Sequence, residues 1–164
     1  MILIGLGANL PSPRHGEPRA TCEAALTALE AAGVKVLRRS RWYRSAPVPA
    51  SDQPWFVNGV AAVETGLAPA ELLALLHRIE ADFGRARRRR NEARILDLDL
   101  LAYGERRSAP GEAPVLPHPR LAGRAFVVLP LAEIAPGWRH PVSGLTAAEM
   151  ALDLPADQAA EPMD

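Results

Sequence analysis

Leucine and aspartate alternate in the segment Arg94-Ile95-Leu96-Asp97-Leu98-Asp99-Leu100-Leu101, and this alternation predicts a β-strand. Successive side chains of a strand point to opposite faces, so the two aspartates share one face and the leucines share the other. On a helix, residues two apart do not face each other, and the two carboxylates would diverge. The leucines mark the side that faces the core. The segment therefore predicts a strand that presents two carboxylates on its outer side.

The paired carboxylates predict a cation site beside an anion site. Two like charges next to each other on a strand repel, and aspartate is depleted in strands, so a cation between them would relieve the repulsion. Oxygen ligands without Cys or His favour Mg²⁺ or Mn²⁺. Guanidinium groups bind phosphate oxygens in pairs, and together the two kinds of group suit a metal-bound polyphosphate. The upstream run contains six arginines: Arg85, Arg87, Arg88, Arg89, Arg90 and Arg94.

Both features also have a structural interpretation that involves no ligand. An exposed strand face can carry carboxylates that meet only water or nearby arginines. Runs of charge are usually solvated, and the arginines at 88–90 fit that description best. Arg85, Arg87 and Arg94 are the stronger phosphate candidates because they lie closest to the end of a predicted helix and the start of the predicted strand.

Composition limits the classes of protein to consider. The chain has 164 residues, which fits one domain, and a formal net charge of +0, which disfavours nucleic acid or an anionic membrane as partner of the whole molecule. A single cysteine, Cys22, excludes a disulfide framework. No apolar run approaches the roughly 20 residues that cross a bilayer, and the first residues lack a signal-peptide pattern. We expect a soluble, cytoplasmic protein.

Periodicity and turn residues predict the element order β-α-β-β-α-β. The predicted strands and helices cover residues 2–6, 19–32, 34–43, 56–64, 69–84 and 96–103. This order is typical of an α+β, ferredoxin-like fold, in which an antiparallel four-stranded sheet carries helices on one face. Extra C-terminal helices are predicted over 126–134 and 145–154. We expect one domain over 1–154 and a disordered acidic tail over 155–164.

Other motifs narrow the ligand chemistry. The glycines after the first strand lack the third glycine of a dinucleotide fingerprint, and no GxxxxGK[ST] phosphate loop occurs. His118 lies between two prolines, where a structural role and, because of the nearby Arg120 and Arg124, a phosphate contact fit equally well. Phe56 and Phe126 can be core residues or can stack on a planar ligand.

Six motifs, weak singly, occur together in a specific order and spacing. They are Gly-Ala-Asn-Leu at 7–10, Tyr-Arg-Ser-Ala-Pro at 43–47, Asp-Gln-Pro-Trp-Phe-Val-Asn at 52–58, Glu80 with Gly-Arg-Ala-Arg at 84–87, Arg-Ile-Leu-Asp-Leu-Asp at 94–99, and Pro-His-Pro-Arg-Leu at 117–121 followed by Arg-Ala-Phe at 124–126. Over roughly residues 1–150 the chain resembles the 6-hydroxymethyl-7,8-dihydropterin pyrophosphokinases of folate biosynthesis.

The resemblance implies a reaction and a set of site residues. It implies a monomer that transfers pyrophosphate from ATP to a reduced pterin, using two Mg²⁺ ions bound at Asp97 and Asp99 together with ATP, and without nucleic acid or membrane as partner. The implied catalytic residues are Arg85, Arg94, Asp97 and Asp99. The positions implied to contact ATP are His77, Glu80, Arg85, Arg87, Arg94, Leu100, His118 and Arg124. Those implied to contact the pterin are Ser45, Ala46, Val48, Phe56, Asn58 and Phe126.

Two departures from the family pattern and two alternative functions accompany this prediction. Residues 91–93 read Asn-Glu-Ala where family members often carry a tryptophan and Gly-Pro, and Pro119 replaces an aromatic residue. A ferredoxin-like RNA-binding module could use the basic segment, but it would show exposed aromatics on its central strands rather than paired aspartates. Another two-metal phosphotransferase would need a further carboxylate, for which Glu80 is the candidate.

Overall fold

The computed structural model describes residues 1–47, 49–84 and 95–163. Within these ranges the chain begins with a strand, and its two longest helices cover 14 residues each. In chain order the elements are β1 (Ile2–Ala8), α1 (Pro18–Ala31), β2 (Lys35–Arg39), β3 (Tyr43–Ser45), β4 (Phe56–Glu64), α2 (Pro69–Asp82), β5 (Asp97–Tyr103), α3 (Ala125–Ile134), α4 (Ala147–Leu152) and β6 (Ala160–Pro162).

All pairs of neighbouring strands in the sheet are antiparallel. The strand order is β5-β1-β4-β3-β6, and β2 also pairs with β4. β1 therefore lies between β4 and β5, and the edge strand β5 carries the leucine–aspartate alternation. With β2 and β3 taken as one interrupted strand, the β-α-β-β-α-β order and the antiparallel pairing confirm the predicted ferredoxin-like α+β fold, although the sheet within the described residues has six strands rather than the predicted four.

The prediction of one strand over 34–43 is wrong, because the segment forms two strands that pair with opposite ends of β4. The register of β2 shifts between Val36 and Arg38. The Ser40 N–H then donates to the Val60 carbonyl at 2.9 Å, and the Ser40 Oγ accepts a hydrogen bond from the Val60 N–H at 3.0 Å. This irregularity separates β2 from β3 and lets the chain follow the twisted sheet.

Helices cover both faces of the sheet. α1 and α2 begin at prolines that suit the first helical turn, and they pack on the face that carries the β5 leucines. α3 and α4, the predicted C-terminal helices, pack on the opposite face against residues such as Leu3, Val60 and Leu101. The aspartate face of β5 is therefore the face on which α3 and α4 lie. No helix in the described ranges is both long and apolar enough to cross a membrane.

The predicted disorder of the tail over 155–164 is wrong for its strand, β6. This strand pairs with β3 in the register Ser45↔Ala160 and Tyr43↔Pro162, and the Met163 N–H donates to the Trp42 carbonyl at 2.7 Å. An uncovered β3 would present a row of unpaired backbone groups. The tail satisfies these groups, and its polar composition gave no indication of that role.

Candidate active site

The two aspartates of β5 lie opposite two glycines of the neighbouring strand β1. Asp97 lies opposite Gly7 of β1 and Asp99 lies opposite Gly5, and both carboxylates are half-buried. On the other side of β1, Gly7 lies opposite Asn58 of β4. A Cβ atom at Gly7 would come within 2.9 Å of the Asn58 Nδ2 atom, closer than real Cβ atoms approach. The absence of a side chain at Gly7 thus lets the Asn58 amide lie over β1, between β4 and the strand that carries the carboxylates.

The leucines of β5 are buried on the other face, as the alternation predicts. Leu96, Leu98 and Leu100 are at most 3% exposed and belong to the core beneath α1 and α2. The strand is therefore fixed by one face while its other face carries charge. This arrangement holds two mutually repelling carboxylates on a rigid support.

Ser45, Phe56 and Asn58 come together on the same face, across β1 from the aspartates. Ser45 pairs with Phe56 in register, and its Oγ donates to Asn58 Oδ1 at 2.5 Å. This bond fixes the amide of Asn58 and turns its Nδ2 toward Gly7. The Ala46 N–H already donates to the Ala159 carbonyl, so the main chain of Ala46 can offer a ligand only its carbonyl oxygen.

His118 is held beside the far end of β5 by main-chain bonds. Its N–H donates to the Leu101 carbonyl at 2.8 Å, and its Nδ1 accepts from the Arg120 N–H at 3.2 Å. Burial, followed by the positive charges of Arg124 and Arg120, lowers the pKa of His118 to about 4, and Asp97 acts in the opposite direction. At neutral pH the imidazole is therefore uncharged, with its proton on Nε2, where it can donate to an anion.

Arg124 and Phe126 begin helix α3 next to this histidine. Arg124 is the N-cap residue, and its guanidinium carbon lies 5.2 Å from the centre of the Phe126 ring. Both side chains are half-buried. The start of α3 thus places a guanidinium group and a flat aromatic surface side by side.

Glu80 has a structural role that the sequence interpretation missed. Its side chain is only 1% exposed, and Oε2 accepts the outward-pointing N–H of Leu98 at 2.8 Å. It therefore ties α2 to the edge strand that carries the aspartates. The sequence contains one signal for this, since Glu80 continues the buried helical spacing of Leu72 and Leu76.

His77 lies on α2, and Leu100 lies in the edge strand β5. His77 is exposed and precedes Glu80 by three residues, which places both on one side of α2. The side chain of Leu100 is buried, so only its main chain can contact a nucleotide. Two residues after Leu98, its N–H faces the same outer edge. The predicted arginines at 85, 87 and 94, and Val48, lie outside the described residues.

The donor set fits a metal that takes part of its coordination from a substrate. Among the residues that the structure describes, no group of three or more His, Cys, Asp or Glu side chains is arranged to hold a metal ion. Asp97 and Asp99 nevertheless offer two hard oxygen donors on one face. Mg²⁺ is commonly bound by one or two carboxylates together with substrate phosphates and water.

Residues 3–136 match the protein family described as 7,8-dihydro-6-hydroxymethylpterin-pyrophosphokinase (HPPK). The chain belongs to this family. Membership of HPPK makes the chain a pyrophosphokinase and sets aside both the RNA-binding module and an unrelated two-metal phosphotransferase. It also confirms the resemblance found in the motifs.

Relatives from three bacteria are similar over most of their length. The chain is 42% identical over 144 residues to a Synechocystis 2-amino-4-hydroxy-6-hydroxymethyldihydropteridine pyrophosphokinase, covering 88% of this chain and 71% of that protein. It is 43% identical over 134 residues to the Methylorubrum extorquens enzyme of the same name, covering 81% of both chains. The Pseudomonas aeruginosa enzyme of that name is 43% identical over 141 residues, 85% of this chain and 83% of the enzyme.

A solved structure supports the fold. The chain superposes on a Plasmodium falciparum HPPK-DHPS triple mutant with a TM-score of 0.70 and 14% sequence identity. The match covers 93% of this chain and 44% of the longer Plasmodium chain. At this identity the similarity bears on the fold alone, and it agrees with the ferredoxin-like architecture.

Proposed function

We propose that this HPPK-family chain transfers pyrophosphate from ATP to the hydroxymethyl group of 6-hydroxymethyl-7,8-dihydropterin, giving the pterin diphosphate and AMP in folate biosynthesis. The observation that carries the proposal is the single row of groups across one sheet face. In that row Asp97 and Asp99 stand at one end and Asn58 and Ser45 at the other, and the Asn58 amide extends over Gly7 between them.

Asp97 and Asp99 would hold two Mg²⁺ ions that arrive with ATP. The bound metal would neutralise charge on the transferred phosphates and lower the barrier to attack by the hydroxyl group. The protein's part is to keep both carboxylates on one face of a rigid strand. The buried leucines of β5 and the bond from Leu98 to Glu80 do this by fixing the strand.

ATP would lie along the outer edge of β5, with its phosphates toward the aspartate face. The main chain of Leu100 suits the edge of a base, and His77 and Glu80 flank that edge on α2. The neutral imidazole of His118 can donate its Nε2 proton to a phosphate oxygen, while the guanidinium of Arg124 can bind two. Arg85, Arg87 and Arg94 stay predicted phosphate ligands from the neighbouring segment.

The pterin would lie flat between Phe56 and Phe126. A pterin ring is planar with a polar edge, which suits an aromatic surface bordered by fixed hydrogen-bonding groups. Asn58 Nδ2 would donate to that edge and the Ala46 carbonyl would accept from it. With the pterin bound beside Asn58 and the phosphates bound at the aspartates, the row would align the hydroxymethyl group with the transferred phosphates, and such alignment supplies much of the rate in this kind of reaction.

The test is pyrophosphate transfer by Asp97→Asn and Asp99→Asn variants, measured as AMP and pterin diphosphate by chromatography across a range of MgCl₂ concentrations. Each variant should lose at least about a hundredfold in kcat/KM, because the metal-binding charge is halved. The matched control is Asp153→Asn, an exposed aspartate at the end of α4. Turnover that is unchanged in the β5 variants, or unaffected by chelation of divalent ions, would contradict the proposal.

A further inference from the structure

The start of α3 has no capping side chain of its own. Its N-cap residue, Arg124, makes no side-chain capping hydrogen bond, although the first N–H groups of a helix need partners. Gln158 of the tail supplies the missing partner. Its Oε1 accepts the Ala125 N–H at 2.8 Å and its Nε2 donates to the Gly123 carbonyl at 2.7 Å. The amide of Gln158 thus forms hydrogen bonds with the main chain on both sides of Arg124.

Ala159, the residue after Gln158, is hydrogen-bonded to the opposite side of the proposed site. The Ala159 carbonyl accepts the Ala46 N–H at 3.0 Å, and the next residue, Ala160, pairs with Ser45. Two consecutive tail residues therefore contact both the start of α3 and the end of β3. The groups that we propose to bind the pterin and the phosphates lie at these two places.

The tail keeps its place through contacts that do not involve Gln158. Met163 packs against the core and its N–H donates to the Trp42 carbonyl, while Glu161 forms an ion pair with Arg44 at 2.8 Å. Loss of the Gln158 amide should therefore loosen the start of α3 without detaching β6. The two effects are separable by mutation.

We propose that Gln158 is a positioning residue of the pyrophosphokinase site, acting through Arg124 and Phe126. The proposal rests on the proposed function, which gives those two side chains their substrates. An uncharged amide suits this place. It satisfies a donor and an acceptor together, and a carboxylate there would oppose the Gly123 carbonyl and compete with phosphate for Arg124.

The kinetic test compares Gln158→Ala with the matched tail variant Glu161→Gln. Gln158→Ala should raise KM for both ATP and the pterin about fivefold, the effect of a lost helix cap, and kcat should fall as well. Glu161→Gln breaks an exposed ion pair on the same strand and should leave both constants within about twofold. Equal kinetic effects in the two variants, or none in Gln158→Ala, would overturn the proposal.

A second measurement separates this proposal from the proposed function. Amide hydrogen exchange at Ala125, followed by NMR in the absence of substrates, should be at least about tenfold faster in Gln158→Ala and unchanged in Glu161→Gln. If the parent protein transfers no pyrophosphate, the proposed function fails whatever the exchange shows. If the parent is active but Ala125 exchange is the same in all three proteins, the positioning role of Gln158 is wrong.

Discussion

Gly7 is required by the space above it rather than by an unusual backbone conformation. A Cβ atom there would lie 2.9 Å from Asn58 Nδ2, and the Asn58 amide is fixed by its bond with Ser45. The Asn58 side chain can move away only by breaking its hydrogen bond with Ser45. Gly7 therefore protects the arrangement of polar groups that we assign to the pterin.

We expect Gly7→Ala to raise KM for the pterin by about tenfold, the equivalent of about 1.4 kcal/mol of binding, and to change KM for ATP much less. Steady-state kinetics with each substrate varied in turn measures both. Gly66→Ala is the control, because a Cβ atom at that glycine meets nothing within 4 Å. Equal changes in the two KM values would show that Gly7 does not act through the groups that we assign to the pterin.

At the residue scale, the sequence predicts what depends on near neighbours. The strand period alone placed Asp97 and Asp99 on one face, and burial of the intervening leucines confirms it. The bond between Ser45 and Asn58 could not be predicted, because it depends on the register of β3 against β4. The role of Gln158 was missed for the same reason, since its partners lie more than 30 residues away in the chain.

At the scale of elements, α2 and β5 are joined by one buried carboxylate. Glu80 accepts the N–H of Leu98, a group on the edge strand that no other strand pairs within the described sheet. A buried N–H without a partner costs about 1–3 kcal/mol. The bond therefore stabilises the chain and also fixes the strand that presents the aspartates.

Glu80→Leu should lower the free energy of unfolding by about 2 kcal/mol, since it leaves the Leu98 N–H buried without an acceptor. Urea denaturation measures the change. Glu80→Gln keeps an amide oxygen at the same place and is the control, for which we expect a smaller loss. A Glu80→Leu variant as stable as the parent would show that this bond does not hold β5 in place.

The helices and strands that could be predicted from the sequence are those with a clear periodic pattern of apolar residues. The helices over α1, α2 and α3 and the strands over β4 and β5 follow strong apolar patterns, and the structure confirms them. The break between β2 and β3 depends on a register shift against β4, and β6 is a short polar strand that forms by covering an edge. Neither has a periodic pattern that a sequence could show.

At the scale of the whole molecule, two ionisable groups link folding to pH. Hydrogen bonds from Arg39 and Trp42 lower the pKa of Glu23 to about 2, although burial acts against them, so its stabilising effect is lost as pH falls from about 4.5 toward 2. The pKa of His118 is lowered to about 4 from an ordinary value of 6.5. Between pH 6.5 and about pH 4, His118 is therefore protonated in the unfolded chain but neutral in the folded chain. The free energy of unfolding falls as pH is lowered through that range.

We expect the free energy of unfolding to fall by up to about 2 kcal/mol between pH 7 and pH 5 through His118 alone. Urea titrations at the two pH values measure the loss. His118→Gln has no proton to gain in this range, so its stability should change clearly less over the same interval. Equal losses in the parent and the variant would mean that His118 does not stay neutral on folding.

The fold as a whole gives the site its place. α1 and α2 cover the leucine face of the sheet, and α3 and α4 cover part of the other face. The aspartates and Asn58 lie on that second face, bordered by the start of α3. The element order predicted the ferredoxin-like sheet, while the position of α3 over the aspartate face required packing between residues far apart in the chain.

The most direct test of the central claim is ³¹P NMR of the parent protein with ATP, MgCl₂ and 6-hydroxymethyl-7,8-dihydropterin. We predict that the ATP signals are replaced by those of AMP and of a diphosphate ester on the pterin, in equal amounts, because the two terminal phosphates move as one unit. ADP with a pterin monophosphate, or ATP that stays intact beside the pterin, would contradict the account.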